Sequence, residues 1–111
     1  MNTLSTHVLD TMNGRPAAGM KVALSGPDGE IGRGTTNGDG RCPDLAPAGL
    51  AAGRYTIRFG VADYFRGLGV SLPDPPFLDE VAVDFGIAED GGHYHVPLLV
   101  SPFAYSTYRG S

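Results

Sequence analysis

Glycine or proline interrupts this chain every few residues, 17 Gly and nine Pro among 111 positions, and that punctuation excludes most folds. In a helix interior glycine costs about 1 kcal/mol relative to alanine and proline about 3 kcal/mol, so long helices have no room between the breaks. Short strands joined by tight turns do fit. The expectation is an all-β fold. A chain of 111 residues can bury one core but not two, so residues 1–111 read as a single domain.

Alternation within the uninterrupted stretches assigns faces. Residues 3–9 read as a first strand, with Leu4, Thr6 and Val8 on one face and Ser5, His7 and Leu9 on the other. With Leu4 and Val8 in the core, His7 faces away from it. Residues 10–16 form a turn around Asn13-Gly14, and 20–25 a second strand with Met20, Val22 and Leu24 inward. A tight turn over 26–29 leads to a weakly amphipathic third strand, 30–36. Thr36-Asn-Gly-Asp-Gly-Arg41 is a reversal that leaves Arg41 at the head of a possible short strand, 41–45, before a loop over 46–53. Residues 54–59 alternate most cleanly, Tyr55, Ile57 and Phe59 against Arg54, Thr56 and Arg58. Val61, Tyr64, Phe65 and Leu68 recur at helical spacing and predict one short helix. Proline-rich 71–76 is irregular, and 77–85 is a strand with Val81, Val83 and Phe85 on one face. A turn over 86–92 opens a closing hairpin, 93–100 and 103–108 around Ser101-Pro102.

The first arm of that hairpin is apolar on both sides. Tyr94, Val96, Leu98 and Val100 face one way, and His93, His95, Pro97 and Leu99 the other. A strand of this kind is covered twice, once by its own core and once by something else. In so small a domain a second subunit is the simplest cover.

A formal net charge of −4 and a pI near 5.1, with no run of Lys or Arg, argue against nucleic acid or an anionic membrane surface as partner. The one cysteine, Cys42, cannot form an intramolecular disulfide and reads as a small buried hydrophobe. The opening residues lack the basic and apolar regions of a signal peptide, and no stretch approaches the roughly 18 apolar residues of a membrane span, so a cytoplasmic protein is expected.

Familiar catalytic signatures are missing. His93-x-His95 offers two imidazoles on one strand face without a third ligand at a characteristic spacing, so no metal is expected. There is no Gly-x-Ser-x-Gly elbow, Walker loop or dinucleotide fingerprint. What remains is His7, Arg41, His95 and the ending Tyr108-Arg109-Gly110-Ser111. Singly, each reads as a solvated or satisfied polar residue. Together on a covered face, two imidazoles and a guanidinium suit activation of water by a general base and stabilisation of an anionic intermediate.

Residues 4–10 (Leu-Ser-Thr-His-Val-Leu-Asp), the turn over 36–41 and the ending Tyr-Ser-Thr-Tyr-Arg-Gly-Ser closely resemble the 5-hydroxyisourate hydrolases, transthyretin-like enzymes of urate breakdown. The first half is also similar to generic prealbumin-like sandwich modules and so speaks for fold alone. Tyr-Arg-Gly-Ser, with His7, Arg41 and His95, separates the hydrolases from transthyretin carriers. The tight turn over 26–29 is shorter than the connection relatives often have, but it removes no motif residue. The resemblance implies a transthyretin/prealbumin-like β-sandwich of about eight strands with one short helix. It implies a homotetramer, a dimer of dimers with its sites at the dimer–dimer interface. The reaction implied is hydrolysis of 5-hydroxyisourate to 2-oxo-4-hydroxy-4-carboxy-5-ureidoimidazoline, with neither metal nor organic cofactor. Residue by residue, His7, Arg41 and His95 fall on the family's catalytic positions, and Tyr108, Arg109, Gly110 and Ser111 on its substrate-binding ending. Either histidine can be the base on this reading, and Arg41 either holds the anion or helps activate water. The rival is a transthyretin-like protein that binds a small ligand without turnover.

Overall fold

The structure is a computed structural model that describes residues 2–110. Its elements run β1 (Thr3–Asp10), β2 (Arg15–Pro16), β3 (Lys21–Gly26), β4 (Gly29–Thr35), β5 (Gly53–Gly60), α1 (Val61–Gly67), β6 (Glu80–Ile87), β7 (His93–Val100) and β8 (Tyr105–Thr107). The strands form two four-stranded sheets, ordered β2-β1-β7-β8 and β4-β3-β5-β6. This is the expected sandwich with one short helix.

The two ends of the chain meet in the first sheet. β1 and β7 pair in parallel over eight residues of each, from Thr3 opposite His93 to Asp10 opposite Val100. Period-2 alternation then gives this pair one inner and one outer face. The inner row of Thr6, Val8, Tyr94, Val96, Leu98 and Val100 is buried against Val22, Leu24, Tyr55, Ile57, Phe59, Val81 and Val83 of the second sheet. The outer row carries Ser5, His7, His95 and Leu99, all half-buried, with Pro97 buried among them. The face separation read from the sequence therefore holds on both strands.

Where the structure departs from the expectations, local chemistry explains it. Residues 41–45 are not a strand: Arg41 makes one isolated bridge to His7, after which Cys42 and Leu45 turn inward. They pack across the inner side of β4, which is bared by glycine. A Cβ on Gly32 would lie 1.8 Å from the Leu45 carbonyl oxygen, and one on Gly34 2.6 Å from the Cys42 sulfur. The sixth strand starts at Glu80 rather than at 77, leaving Phe77 72% exposed, and runs on to Ile87. The last strand is only Tyr105–Thr107 because Ser101 and Ala104 close the preceding turn with a backbone bond of 2.8 Å. Arg15–Pro16 adds a two-residue strand inside the expected turn, paired with Leu9 and Asp10. α1 stops at Gly67, one residue early, and Leu68 is exposed.

One buried carboxylate ties the helix to the end of β1. Asp10 is 1% exposed and accepts bonds from the Asn13 backbone (2.9 Å), the Asn13 side chain (2.7 Å) and the Tyr64 hydroxyl (2.7 Å). Burial pushes its carboxyl up, but these donors with the Met12 backbone outweigh burial and hold it below the usual value. Burial, then the bond to Asp10, pushes the Tyr64 phenol up to about 12. A carboxyl whose pKa falls on folding contributes stability above its unfolded pKa and loses it as pH drops through the folded one. Tyr64→Phe should therefore cost about 2 kcal/mol in urea unfolding at neutral pH, as expected for a bond to a charged group. That difference should shrink as acid protonates Asp10, which parallel unfolding series at neutral and acid pH would show.

Candidate active site

The outer face of the β1–β7 pair gathers the polar residues. His7 reaches it by alternation, two positions beyond Ser5 on β1, and His95 lies directly opposite Ser5 on β7. Arg41 arrives from elsewhere. On the edge of β1 away from β7, the chain at 40–41 takes the place of a strand: Val8 N–H donates to the Gly40 carbonyl (2.8 Å), and Arg41 bridges His7. Directly opposed residues of this kind have Cβ atoms about 5 Å apart, so the guanidinium stem starts beside the imidazole.

The approach depends on Gly40 and Asn37. Gly40 has φ +75°, and a Cβ there would sit 2.4 Å from the Val8 carbonyl oxygen. Asn37 folds the turn around its own amide oxygen, which accepts from Asp39 N–H (3.0 Å) and Arg41 N–H (3.1 Å). Behind it, the buried Thr36 hydroxyl donates to the Ala17 carbonyl (2.6 Å) and accepts from Met20 N–H (2.9 Å). The Thr-Asn-x-Asp-Gly turn thus sets where Arg41 stands.

His95 is the most constrained of the three. Its Nδ1 lies 2.7 Å from the Ser5 hydroxyl, and among the described residues Nε2 has no hydrogen-bond partner. Burial first, then the charge of Arg41, then His7 and His93, hold its imidazole below the ordinary histidine value. At neutral pH the ring is therefore neutral and able to accept a proton. The Cys42 thiol, next to Arg41 in sequence, is pushed up by burial and by Asp44. It stays protonated at neutral pH and is not a nucleophile.

The tail divides. Gly110 N–H donates to the His95 carbonyl (2.7 Å), and a Cβ on Gly110 would stand 2.5 Å from His95 Cδ2, so only glycine fits against the ring. Arg109 goes elsewhere: its guanidinium lies 3.9 Å above the Tyr94 ring and donates to the carbonyls of Gly91 (2.8 Å) and His93 (3.2 Å). Tyr94 and His95 project to opposite faces, so Arg109 sits on the core side of the sheet. Tyr108 joins it there, lining a crevice of about 240 Å³ with Phe85, Gly86 and Val96. Of the expected substrate-binding ending, Gly110 meets the His95 ring, Tyr108 and Arg109 stand on the core side of the sheet, and Ser111 lies outside the described residues. Reasoning from sequence missed Ser5, whose signal was its place two residues before His7 on the same face.

Among the described residues no group of three or more His, Cys, Asp or Glu is placed to hold a metal ion. No helix among them is long and apolar enough to cross a membrane. Because a neighbouring cation opposes proton uptake, removing Arg41 should raise the His95 pKa. In Arg41→Met the midpoint of His95, followed by NMR of the imidazole, should move up toward the ordinary value; an unmoved midpoint would show that the guanidinium does not face the ring.

Comparison with known proteins places the chain. It is 54% identical over 114 residues to a 5-hydroxyisourate hydrolase of Mesorhizobium japonicum, covering 97% of this chain and 91% of that one. The structure of Klebsiella pneumoniae 5-hydroxyisourate hydrolase superposes with a TM-score of 0.88 at 38% identity, covering all of both chains. An (S)-allantoin synthase structure superposes with a TM-score of 0.92 at 43% identity, over 99% of this chain but only 44% of that longer one. The family model described as HIUase/Transthyretin matches residues 4–110, and the chain belongs to the HIUase/transthyretin family.

Proposed function

We propose that this chain hydrolyses 5-hydroxyisourate on the outer face of the β1–β7 pair. The observation that supports this best is the convergence of His7, Arg41 and His95 from three separate segments onto that face, in a chain so similar to 5-hydroxyisourate hydrolases.

Each group has a role that its surroundings favour. His95, neutral and bare at Nε2, takes a proton from water as the water oxygen bonds to C6 of the substrate. The N1–C6 bond then breaks, N1 leaves C6 and takes up a proton to become the end of the ureido group, and C6 stays on the ring as the carboxylate of 2-oxo-4-hydroxy-4-carboxy-5-ureidoimidazoline. Arg41 keeps its proton and cannot be the base. Its planar fork of donors holds the anionic substrate and the developing oxyanion. His7, beside Arg41, positions the water and serves the departing nitrogen. Gly110 leaves room for the His95 ring, and Arg109 anchors the tail with Tyr108 beside it. The Ser111 hydroxyl is assigned to substrate or water.

Assembly belongs to the same proposal. Leu9, Pro97 and Leu99 share the outer face with the histidines, and packing that face on a second copy would cover them and desolvate the site. We therefore assign a homotetramer, a dimer of dimers with active sites at the dimer–dimer interface. Residues 1–111 act as one hydrolase module, working in the cytoplasm without metal or organic cofactor.

His7→Ala, Arg41→Ala and His95→Ala should each lower kcat roughly 10²–10⁴-fold, the range of a positioned acid–base group. The readout is the ultraviolet decay of freshly generated 5-hydroxyisourate, with sedimentation velocity to confirm that each variant assembles like the parent. A near-parental rate would remove that residue from the mechanism. Tight retention of the substrate without turnover would favour the carrier reading instead.

A further inference from the structure

The outer face holds a hydrogen-bonded row that the catalytic reading does not use. Thr3 Oγ1 lies 2.6 Å from His93 Nδ1, His93 Nε2 lies 2.9 Å from Ser5 Oγ, and Ser5 Oγ lies 2.7 Å from His95 Nδ1. The row exists because the parallel register sets Thr3 opposite His93 and Ser5 opposite His95. Hydroxyl and imidazole alternate along it. A serine hydroxyl has one hydrogen to donate, while each neutral imidazole presents one N–H and one bare nitrogen. The single hydrogen of Ser5 therefore couples the tautomers of the two rings.

Two arrangements satisfy the neutral row. In one, Ser5 donates to His95 Nδ1, accepts from His93 Nε2–H, and leaves the His95 hydrogen on Nε2. In the other, Ser5 donates to His93 Nε2 and accepts from His95 Nδ1–H, which leaves Nε2 bare. Protonation of His95 separates them. An imidazolium donates from both nitrogens, so Ser5 must then accept from Nδ1 and send its own hydrogen to His93. Only the second arrangement takes up a proton at Nε2 with no hydrogen in the row reversing.

We propose that Ser5 and His93 are positioning residues that hold His95 as the Nδ1–H tautomer, so that Nε2 is the nitrogen that accepts the proton from water. The inference rests on the hydrolase reading for its consequence but not for its geometry. In this arrangement His93 accepts the Ser5 hydrogen at Nε2 and turns its own Nδ1–H to Thr3 Oγ1. The charged and titratable groups acting on His95 are Arg41, His7 and His93, and all three oppose its protonation. The row thus selects which nitrogen is basic, while burial and then the charge of Arg41 set how basic it is.

The test uses the full-length protein and two readouts. Two-dimensional ¹H–¹⁵N spectra of the imidazoles report the tautomer of each ring without any substrate, and decay of 5-hydroxyisourate reports kcat and KM. The parent should show His95 protonated at Nδ1 and bare at Nε2. Ser5→Ala should give a mixed-tautomer pattern at His95, and a kcat lower by about tenfold, a fraction of what a positioned base contributes, with KM little changed. Ser5→Thr, which restores a hydroxyl at the same Cβ, should recover both. His93→Phe should loosen the tautomer while leaving the Ser5 hydroxyl in place. A parent His95 protonated at Nε2, or a Ser5→Ala protein with unchanged tautomer and kcat, would overturn the proposal. A parent with the stated tautomer but no effect on 5-hydroxyisourate decay would overturn the hydrolase reading while leaving the row intact.

Discussion

The parallel pairing of β1 with β7 is the interaction on which the rest of this molecule depends. It joins strands from opposite ends of the chain, and its inner row completes the core while its outer row places Ser5, His7 and His95 together. Parallel ladders are slightly less stable per residue than antiparallel ones. This one is reinforced from both sides. The Thr6 hydroxyl donates across it to the Val96 carbonyl (2.8 Å), and the far edge of β7 is held by β8 and by the bridge from Gly110. On the far edge of β1, the two-residue β2 and the bridge from Arg41 do the same work. Reinforcement and chemistry share residues: the segments that support the pair also deliver Arg41 to His7 and Gly110 to His95. A slip of one residue in the register would turn every one of these side chains to the wrong face.

That arrangement also explains the electrostatics. His95 lies between strands on a half-buried face, with a guanidinium and two other imidazoles near it and no carboxylate among the groups that shift it. Such surroundings keep the ring neutral, as the role of base proposed for it requires. Among the described residues the one deeply buried carboxylate, Asp10, lies on the inner face of β1, and its charge is met by Asn13 and Tyr64.

Much of this was legible in the residues, wherever the evidence was local. Period-2 alternation identified β1, β5 and β7 with their faces, and helical spacing found α1. Reading failed where a distant partner decides. The stretch after Arg41 looks like a strand, yet Gly32 and Gly34 open a path across β4 that draws Cys42 and Leu45 inward. Residues 77–79 continue an alternating pattern, but pairing of β6 with β5 begins only at Glu80, opposite Gly60. The site shows the same division. His7 and His95 were placed on the outer face by alternation, whereas the contact of Arg41 with His7 depends on a 34-residue separation that no local pattern carries. The tail resembles one functional unit in sequence, but its residues leave the sheet in alternate directions, so Arg109 stacks on Tyr94 while Gly110 meets His95.

The outer face of the β1–β7 pair is proposed to turn over 5-hydroxyisourate. The most direct measurement follows freshly generated substrate with and without the native protein, by ultraviolet absorbance for rate and by circular dichroism for the handedness of the product. Decay accelerated in proportion to protein concentration, with accumulation of a one-handed 2-oxo-4-hydroxy-4-carboxy-5-ureidoimidazoline, is the predicted result. Decay at the spontaneous rate, with no dichroic signal beyond that of the uncatalysed control, would contradict it.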